Sequence, residues 1–299
     1  MAHVIPEDNN KNHQQNQGKK SRRAFLYVWW RHGEEGRRSE REKRAPQVRV
    51  FDNEEELSTA LADYVAQLSE KAVRERGSFS IVLSGGNLIY LLRKLTTAPY
   101  VKTLDWSKWH VFWAEENVVG RSHPDSNYKQ AKDGFLSKVP IHPGHVMLVN
   151  HGGSAELAAG DYEFAIRQLV RNQTVGVSRS SDCPRFDLIL LVIGGDGRVA
   201  SLLPGHPVLT EHTQWVAHVS GVPWDSVTLT IPVINSAANV AIMATGSHVA
   251  HPLAAAITDH CLQDGSHPAQ LIAPANGELI WFVDAAAASL ICQDESATT

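Results

Sequence analysis

The stretch "LLVIGGDGRVASLLPGHP", residues 190–207, decides the fold. An apolar run breaks into three glycines around an aspartate and then resumes as the helix-like "VASLL". A short, unbroken apolar run bounded by glycine predicts a strand buried on both faces. Strand, glycine turn and helix in succession are the repeating unit of a parallel α/β sheet. Ligands of such sheets gather beyond the carboxyl ends of the strands, which places Gly194, Gly195, Asp196, Gly197 and Arg198 at a site. Glycine at that density supplies positive φ or close backbone approach. Asp196 also reads simply as the cap of a helix beginning near Val199.

The same pattern extends outward in both directions. "QVRVF" alternates as a short strand, and "DNEEELSTALADYVAQLSEKAVRERG" sets Leu57, Leu61, Val65, Leu68 and Ala72 at helical spacing. Asn53 with Glu56 three residues on reads as a capping box, and Gly77 as the stop. "FSIVLSGG", "KWHVFWA", "HVMLV", "VTLTIP", "VAIMATG" and "GELIWFVD" add further strands among amphipathic helices. The reading is one α/β domain over residues 47–299, with a mostly parallel sheet. Residues 170–185, "VRNQTVGVSRSSDCPR", stand out as a polar, Ser-rich insertion. Trp106, Trp109, Trp113, Trp215, Trp224 and Trp281 fall in or beside strands and are assigned to the core.

Composition bounds the function. The 299 residues carry a formal net charge of −4, which disfavours nucleic acid as a partner. That total hides an asymmetry: residues 1–46 hold 11 Lys/Arg against 6 Asp/Glu, and the remainder is correspondingly acidic at −9. The leading segment is too polar to offset its ordering entropy, and residues 1–46 are read as a disordered arm. It is neither acid-poor nor Ser-rich, as a transit peptide would be, so the expected compartment is the cytosol rather than a plastid. Its "AFLYVWW" is too short to span a membrane. The three cysteines have no paired or metal-ligand spacing, and the histidines lack carboxylate or cysteine partners at such spacing. Neither a metal nor a membrane is expected.

Two further strand ends carry polar chemistry. Ser84, Gly85, Gly86 and Asn87 form a turn whose backbone N–H groups could approach an anion. Glu115 and Glu116 end another strand. Adjacent carboxylates on a strand point in opposite directions, so they make a poor acid/base pair unless only one faces the cleft.

Taken in order, "SGG", "WHVFWAEENVV", "DSNYKQAKDGFLSKVPI", "FDLILLVIGGDGRVASLLPGHP", "VTLTIPVINSAANVAIMATG" and "GELIWFVDAAAAS" resemble the 6-phosphogluconolactonase family, especially its plant members. The resemblance covers nearly all of residues 47–290. It implies the three-layer α/β fold shared with glucosamine-6-phosphate deaminases and ribose-5-phosphate isomerases. It also implies hydrolysis of the 6-phosphogluconate lactone in the oxidative pentose phosphate pathway, without metal or organic cofactor. "ASLLPGHP" favours the lactonase branch over the deaminases, which read "AFNEPG" there. By the same resemblance Asn127, in "DSNY", faces a small phosphorylated sugar lactone.

The chain departs from the family's pattern at working positions. The family reads "GxDGHxAS", with the His as general base, and here Arg198 stands in its place. A guanidinium stays protonated and only donates, so Arg198 cannot take a proton. Asn117 and Ser226 stand where the family has arginines, Asn87 where it has a serine, and "SHVAH", with His248 and His251, where it has a lysine. Remaining cations for a phosphate are Arg198, Arg121 and Lys129, beside the helix start after Gly86. Two readings follow. Either the site is rebuilt, with Glu115, Glu116, Asp196 or His206 activating water and Arg198 holding an anion, or the chain is a silent paralogue that binds sugar phosphates or protein partners.

Overall fold

The computed structural model describes residues 2–4, 25–29, 47–221, 223–258 and 267–291. In chain order the strands are β1 (Ala2–Val4), β2 (Phe25–Trp29), β3 (Gln47–Phe51), β4 (Phe79–Leu83), β5 (Trp109–Trp113), β6 (Glu115–Asn117), β7 (Gly176–Val177), β8 (Pro184–Arg185), β9 (Leu188–Val192), β10 (Val216–Val219), β11 (Ser226–Leu229), β12 (Asn239–Ala244) and β13 (Glu278–Asp284). The main sheet has the order β1-β2-β3-β13-β12-β9-β4-β5. From β3 to β5 every neighbouring pair is parallel. A second, antiparallel sheet has the order β10-β11-β6, and β7 and β8 form a ribbon.

This order places the site. β4 is followed by β5 on one side, whereas β9, its other neighbour, is followed in the main sheet by β12 in the opposite direction. The connections leaving β4 and β9 therefore diverge, and a crevice opens between their carboxyl ends. β4 is wholly buried, and β9 is buried along its first four residues, as their predominantly apolar sequences require.

Helix α1 (Glu54–Arg76) begins and ends where its local signals place it. The Asn53 side chain accepts from the N–H groups of Glu55 and Glu56, both at 3.0 Å. Gly77, at φ 76°, donates to the Val73 carbonyl and closes the last turn. Leu57, Leu61, Val65 and Ala72 are buried. Two shorter pieces matter for the site: α2 (Leu88–Leu91), directly after the glycine turn of β4, and α3 (Tyr100–Thr103), ahead of β5. Helices α4 (Asn127–Gly134) and α5 (Ala155–Arg171) follow β6.

Strand β5 lies at the far edge of the sheet, and an edge must dispose of its unpaired backbone groups. Met147 donates to the Val111 carbonyl at 2.9 Å. The Tyr162 hydroxyl of α5 accepts from Trp113 N–H at 2.7 Å and donates to Trp113 O at 3.2 Å. One phenol thus stands in for a neighbouring strand. Tyr162→Phe leaves a buried N–H without an acceptor, and we expect a loss of about 1–3 kcal/mol, read as a lowered midpoint in urea.

Three expectations are corrected. The arm is not wholly unstructured: β2 pairs antiparallel with β3, and β1 with β2. A parallel sheet ending at β3 would leave its backbone groups unpaired, and the apolar 25–29 stretch supplies the partner. The rest of residues 1–46 lies outside the described residues. No helix begins at Val199. Residues 193–202 instead form two successive tight turns, because Gly197 (φ 80°) and Ala200 (φ 54°) both take left-handed backbone that a helix excludes. Trp224 is 39% exposed, its indole N–H donating to Asp125 and its ring set against His123, whereas the other five tryptophans assigned to the core are buried. Among the described residues no helix is long and apolar enough to cross a membrane, and no group of His, Cys, Asp and Glu is arranged to hold a metal.

Candidate active site

The crevice is organised around Glu115. The chain leaves β5 at Trp113 and turns at Ala114, whose N–H still donates to Leu83 O, before joining the second sheet as β6. Alternation on so short a strand sends the two glutamates apart. Glu115 meets the other two loops: its Oε1 accepts from Gly85 N–H at 3.0 Å and its Oε2 from the Ser201 hydroxyl at 3.2 Å. Glu116 is buried at the start of α4, where its carboxylate accepts from the N–H groups of Asn117, Asn127 and Tyr128 at 2.7–2.9 Å and from the Ser126 hydroxyl. Only one of the adjacent carboxylates is therefore offered to the cleft.

Asn127 joins the first loop to the second. Its Nδ2 donates to Glu115 O at 3.0 Å, and its side chain lies so close to Gly85 that a Cβ there would stand 2.5 Å from Oδ1. Glycine at 85 is a packing requirement. Ser84 is buried behind it, with its N–H on Leu190 O. Gly86 takes φ 71°, and Asn87 opens α2 without capping it. Asn87 instead donates to Thr245 Oγ1 at 2.7 Å, tying the loop after β4 to the end of β12, and its buried Oδ1 has no donor.

The glycine loop closes the other side. Gly194 N–H donates to Arg198 O and Gly197 N–H to Gly194 O, both at 2.9 Å. Arg198 folds back on Asp196, with Nε and Nη2 each 2.7 Å from Oδ2, and both side chains remain about half exposed. Next along, Ala200 in left-handed backbone turns the chain to deliver Ser201 to Glu115.

The electrostatics separate the acidic groups. Burial pushes the Glu115 carboxyl above its ordinary range, against the bonds from Gly85 and Ser201 and the attraction of Arg198. Glu116 is also pushed up by burial, despite its four donors. Asp196 is partly desolvated, but the bonds from Arg198 outweigh that and hold it below the usual carboxylate range. Asp196 in turn stabilises the Arg198 charge. A group that must take a proton near neutral pH works best with its pKa raised towards that pH, which ranks Glu115 above Asp196.

The structure thus brings together Ser84, Gly85, Gly86, Asn87, Glu115, Asn127, Asp196, Arg198 and the glycines around Asp196. Two of the sequence-derived residues are placed elsewhere. His206 caps the turn at 207–210, its Nδ1 accepting from Val208 N–H at 3.1 Å, and it lines a separate depression with Glu211 and His218. Proximity in sequence to the glycine loop is lost at Pro204 and Gly205, where the chain turns off. Asn117 spends its amide on Asp125 O at 2.8 Å and pairs in register with Ser226. The two positions where the resemblance implies arginines are therefore direct cross-strand neighbours.

Sequence reasoning missed Ser201, and named His248 only as a departure at the family's lysine position. His248 packs over the loop, 3.3 Å from where a Cβ of Gly195 would stand and 2.9 Å from one on Gly246. The signal was available in the strand–glycine–turn pattern of "MATGSHV", which repeats that of the first two sites.

A family model described as glucosamine-6-phosphate isomerases/6-phosphogluconolactonase matches residues 52–281. The chain is 53% identical over 248 residues to "Probable 6-phosphogluconolactonase 1" of Arabidopsis thaliana, covering 81% of this chain and 92% of the relative. It is 50% identical over 255 residues to "Probable 6-phosphogluconolactonase 2" of Oryza sativa subsp. indica, covering 83% and 90%. The crystal structure of 6-phosphogluconolactonase from Leishmania guyanensis superposes with a TM-score of 0.72 at 20% identity, covering 83% of this chain and 99% of that one, a likeness of fold. With its strand order, its crevice between β4 and β9 and these relatives, the chain belongs to the glucosamine-6-phosphate isomerase/6-phosphogluconolactonase family.

Proposed function

We propose that this protein hydrolyses 6-phospho-D-glucono-1,5-lactone to 6-phospho-D-gluconate, with Glu115 as the group that takes the proton. The observation that carries this reading is the position of Glu115 at the crevice between β4 and β9, with a raised proton affinity and two hydrogen-bonded oxygens that each keep a free lone pair. The names of the plant relatives supply the substrate.

In this scheme a water between Glu115 and the lactone carbonyl gives its proton to the carboxylate as its oxygen attacks the carbonyl carbon. Charge develops on the carbonyl oxygen, where the half-exposed Arg198 guanidinium is the available donor. The bond to the ring oxygen then breaks, and that oxygen leaves as the sugar hydroxyl, taking back the proton. Arg198 thereby changes function from that of the family's His: it stabilises charge and moves no proton. Asn87 Oδ1, which lacks a donor, is suited to accept from a sugar hydroxyl. Without arginines at 117 and 226, phosphate binding is weaker than in relatives that carry them.

The test follows lactone disappearance above its spontaneous rate with the purified protein. No excess over the spontaneous rate overturns the reading. Arg198→His restores an imidazole beside Asp196, which can orient it. We expect this variant to turn over at least as fast as the natural chain. In a Glu115→Gln background, the same change should recover at least about tenfold in rate, a part of the roughly 10²–10⁴-fold that a general base supplies.

A further inference from the structure

The polar insertion plays no part in the cleft, yet it builds a second cavity. Its ribbon, β7 with β8, is docked rather than loose. Ser178 N–H donates to Cys183 O at 3.0 Å, Ser181 Oγ lies 3.0 Å from Ser236 Oγ, and Asn276 Nδ2 donates to Ser180 Oγ at 3.3 Å. Cys183 is buried beneath it. Against this ribbon lies a cavity of about 480 Å³, lined by Arg76, Gly176, Val177, Arg179, Arg185 and Asn276.

Three of these six residues are arginines, and none is acidic. Arg76 is compensated by an ion pair with Asp187, whose Oδ2 also accepts from Ser80 N–H and the Ser80 hydroxyl, each at 2.8 Å. The other two are not. Arg185 has one long bond, from Nη2 to Asn276 O at 3.4 Å, and Arg179 makes no hydrogen bond or ion pair among the described residues. Two uncompensated guanidiniums on one concave wall, in a chain whose net charge is negative, form a local positive potential without an internal counter-charge.

We infer that this cavity is a binding site for a phosphorylated small molecule, whose dianionic phosphate is gripped by Arg179 and Arg185. A guanidinium offers a planar fork of donors that matches the oxygens of a phosphate, and two forks match its two charges. The volume exceeds that of the phosphate and lies within the range of small-molecule sites, so an organic portion has room over Val177 and the backbone of Gly176.

The site is separate from the reaction cleft. Arg76 precedes β4, Arg185 ends β8 just ahead of β9, and Asn276 precedes β13, so the cavity lies at the amino ends of the parallel strands. The cleft lies at their carboxyl ends, roughly 17 Å away for five-residue strands. Both can be filled at once, and the inference does not depend on the reaction proposed above.

The test is calorimetric titration of the full chain with inorganic pyrophosphate at low ionic strength. Binding should persist in Arg198→Ala, weaken at least tenfold in the Arg179→Ala/Arg185→Ala double variant, and fall with added salt. Thermal melting of the double variant should match the natural chain, since neither residue is buried in the core. Unchanged affinity in the double variant overturns the inference, as does loss of binding in Arg198→Ala, which would put the ion in the cleft. No binding by the natural chain at millimolar pyrophosphate also overturns it.

Discussion

Glu115→Gln should lower the rate of lactone hydrolysis by about 10²–10⁴-fold while leaving the fold intact, because the amide keeps the geometry of the carboxylate and loses only its basicity. The geometry favours a silent replacement. The Gln oxygen can accept from Gly85 N–H as Oε1 does, and its NH₂ can donate to the Ser201 hydroxyl, which accepts as readily as it donates. Two pH signatures distinguish this from loss of substrate binding. In the natural chain the rate needs ionised Glu115, and burial has raised its pKa, so the acid limb should lie above the ordinary carboxylate range. For a carboxyl raised in the folded state, the stability it contributes is complete in acid and is lost as pH rises through the folded pKa. The Gln variant escapes that loss. Its melting temperature relative to the natural chain should therefore be higher at pH 7 than at pH 4, a trade of activity against stability.

Glu116→Ala should do the reverse. This carboxylate is a capping group for three backbone N–H donors and the Ser126 hydroxyl, and Ala leaves all of them facing a small hole. Each stranded donor costs about 1–3 kcal/mol, with water repaying part at the more open end. We expect a loss of about 3–5 kcal/mol, seen as a melting temperature lower by roughly 10 °C or more. Activity per folded molecule should fall less than in Glu115→Gln, because the damage reaches the cleft only through Asn127. Equal stability losses in the two variants would show that the neighbouring glutamates do not divide their work in this way.

What the sequence made legible was local or periodic. The ends of α1 follow from Asn53 and Gly77, whose capping needs only residues within one turn, and the parallel strands follow from the predominantly apolar runs at 79–83 and 188–192. The loop after β9 was misread because "VASLL" carries helical apolar spacing, while its backbone is set by Gly197 and by an alanine forced into left-handed geometry. Nothing in an alanine announces that. His206 lies away from the cleft for a related reason: distance along the chain is a poor guide to distance in space once a Pro-Gly turn intervenes. Trp224 was assigned to the core by type, yet its indole N–H found Asp125 at the surface. The division of labour between Glu115 and Glu116 was legible as a rule of alternation, but which of the two faced the cleft depended on where α4 begins.

The pairing of β3 with β13 sets a schedule for biosynthesis. Gln47 aligns with Ile280 and Phe51 with Asp284, so every element between these two strands must emerge from the ribosome before they meet. Closing so long a loop is slow, and an apolar strand waiting for its partner is exposed to mispairing with other nascent chains. β2, emerging just ahead of β3 and hydrogen-bonded to it, supplies an early neighbour on one side. Strand β2 is thus placed to shelter one edge of β3 until β13 arrives at the other.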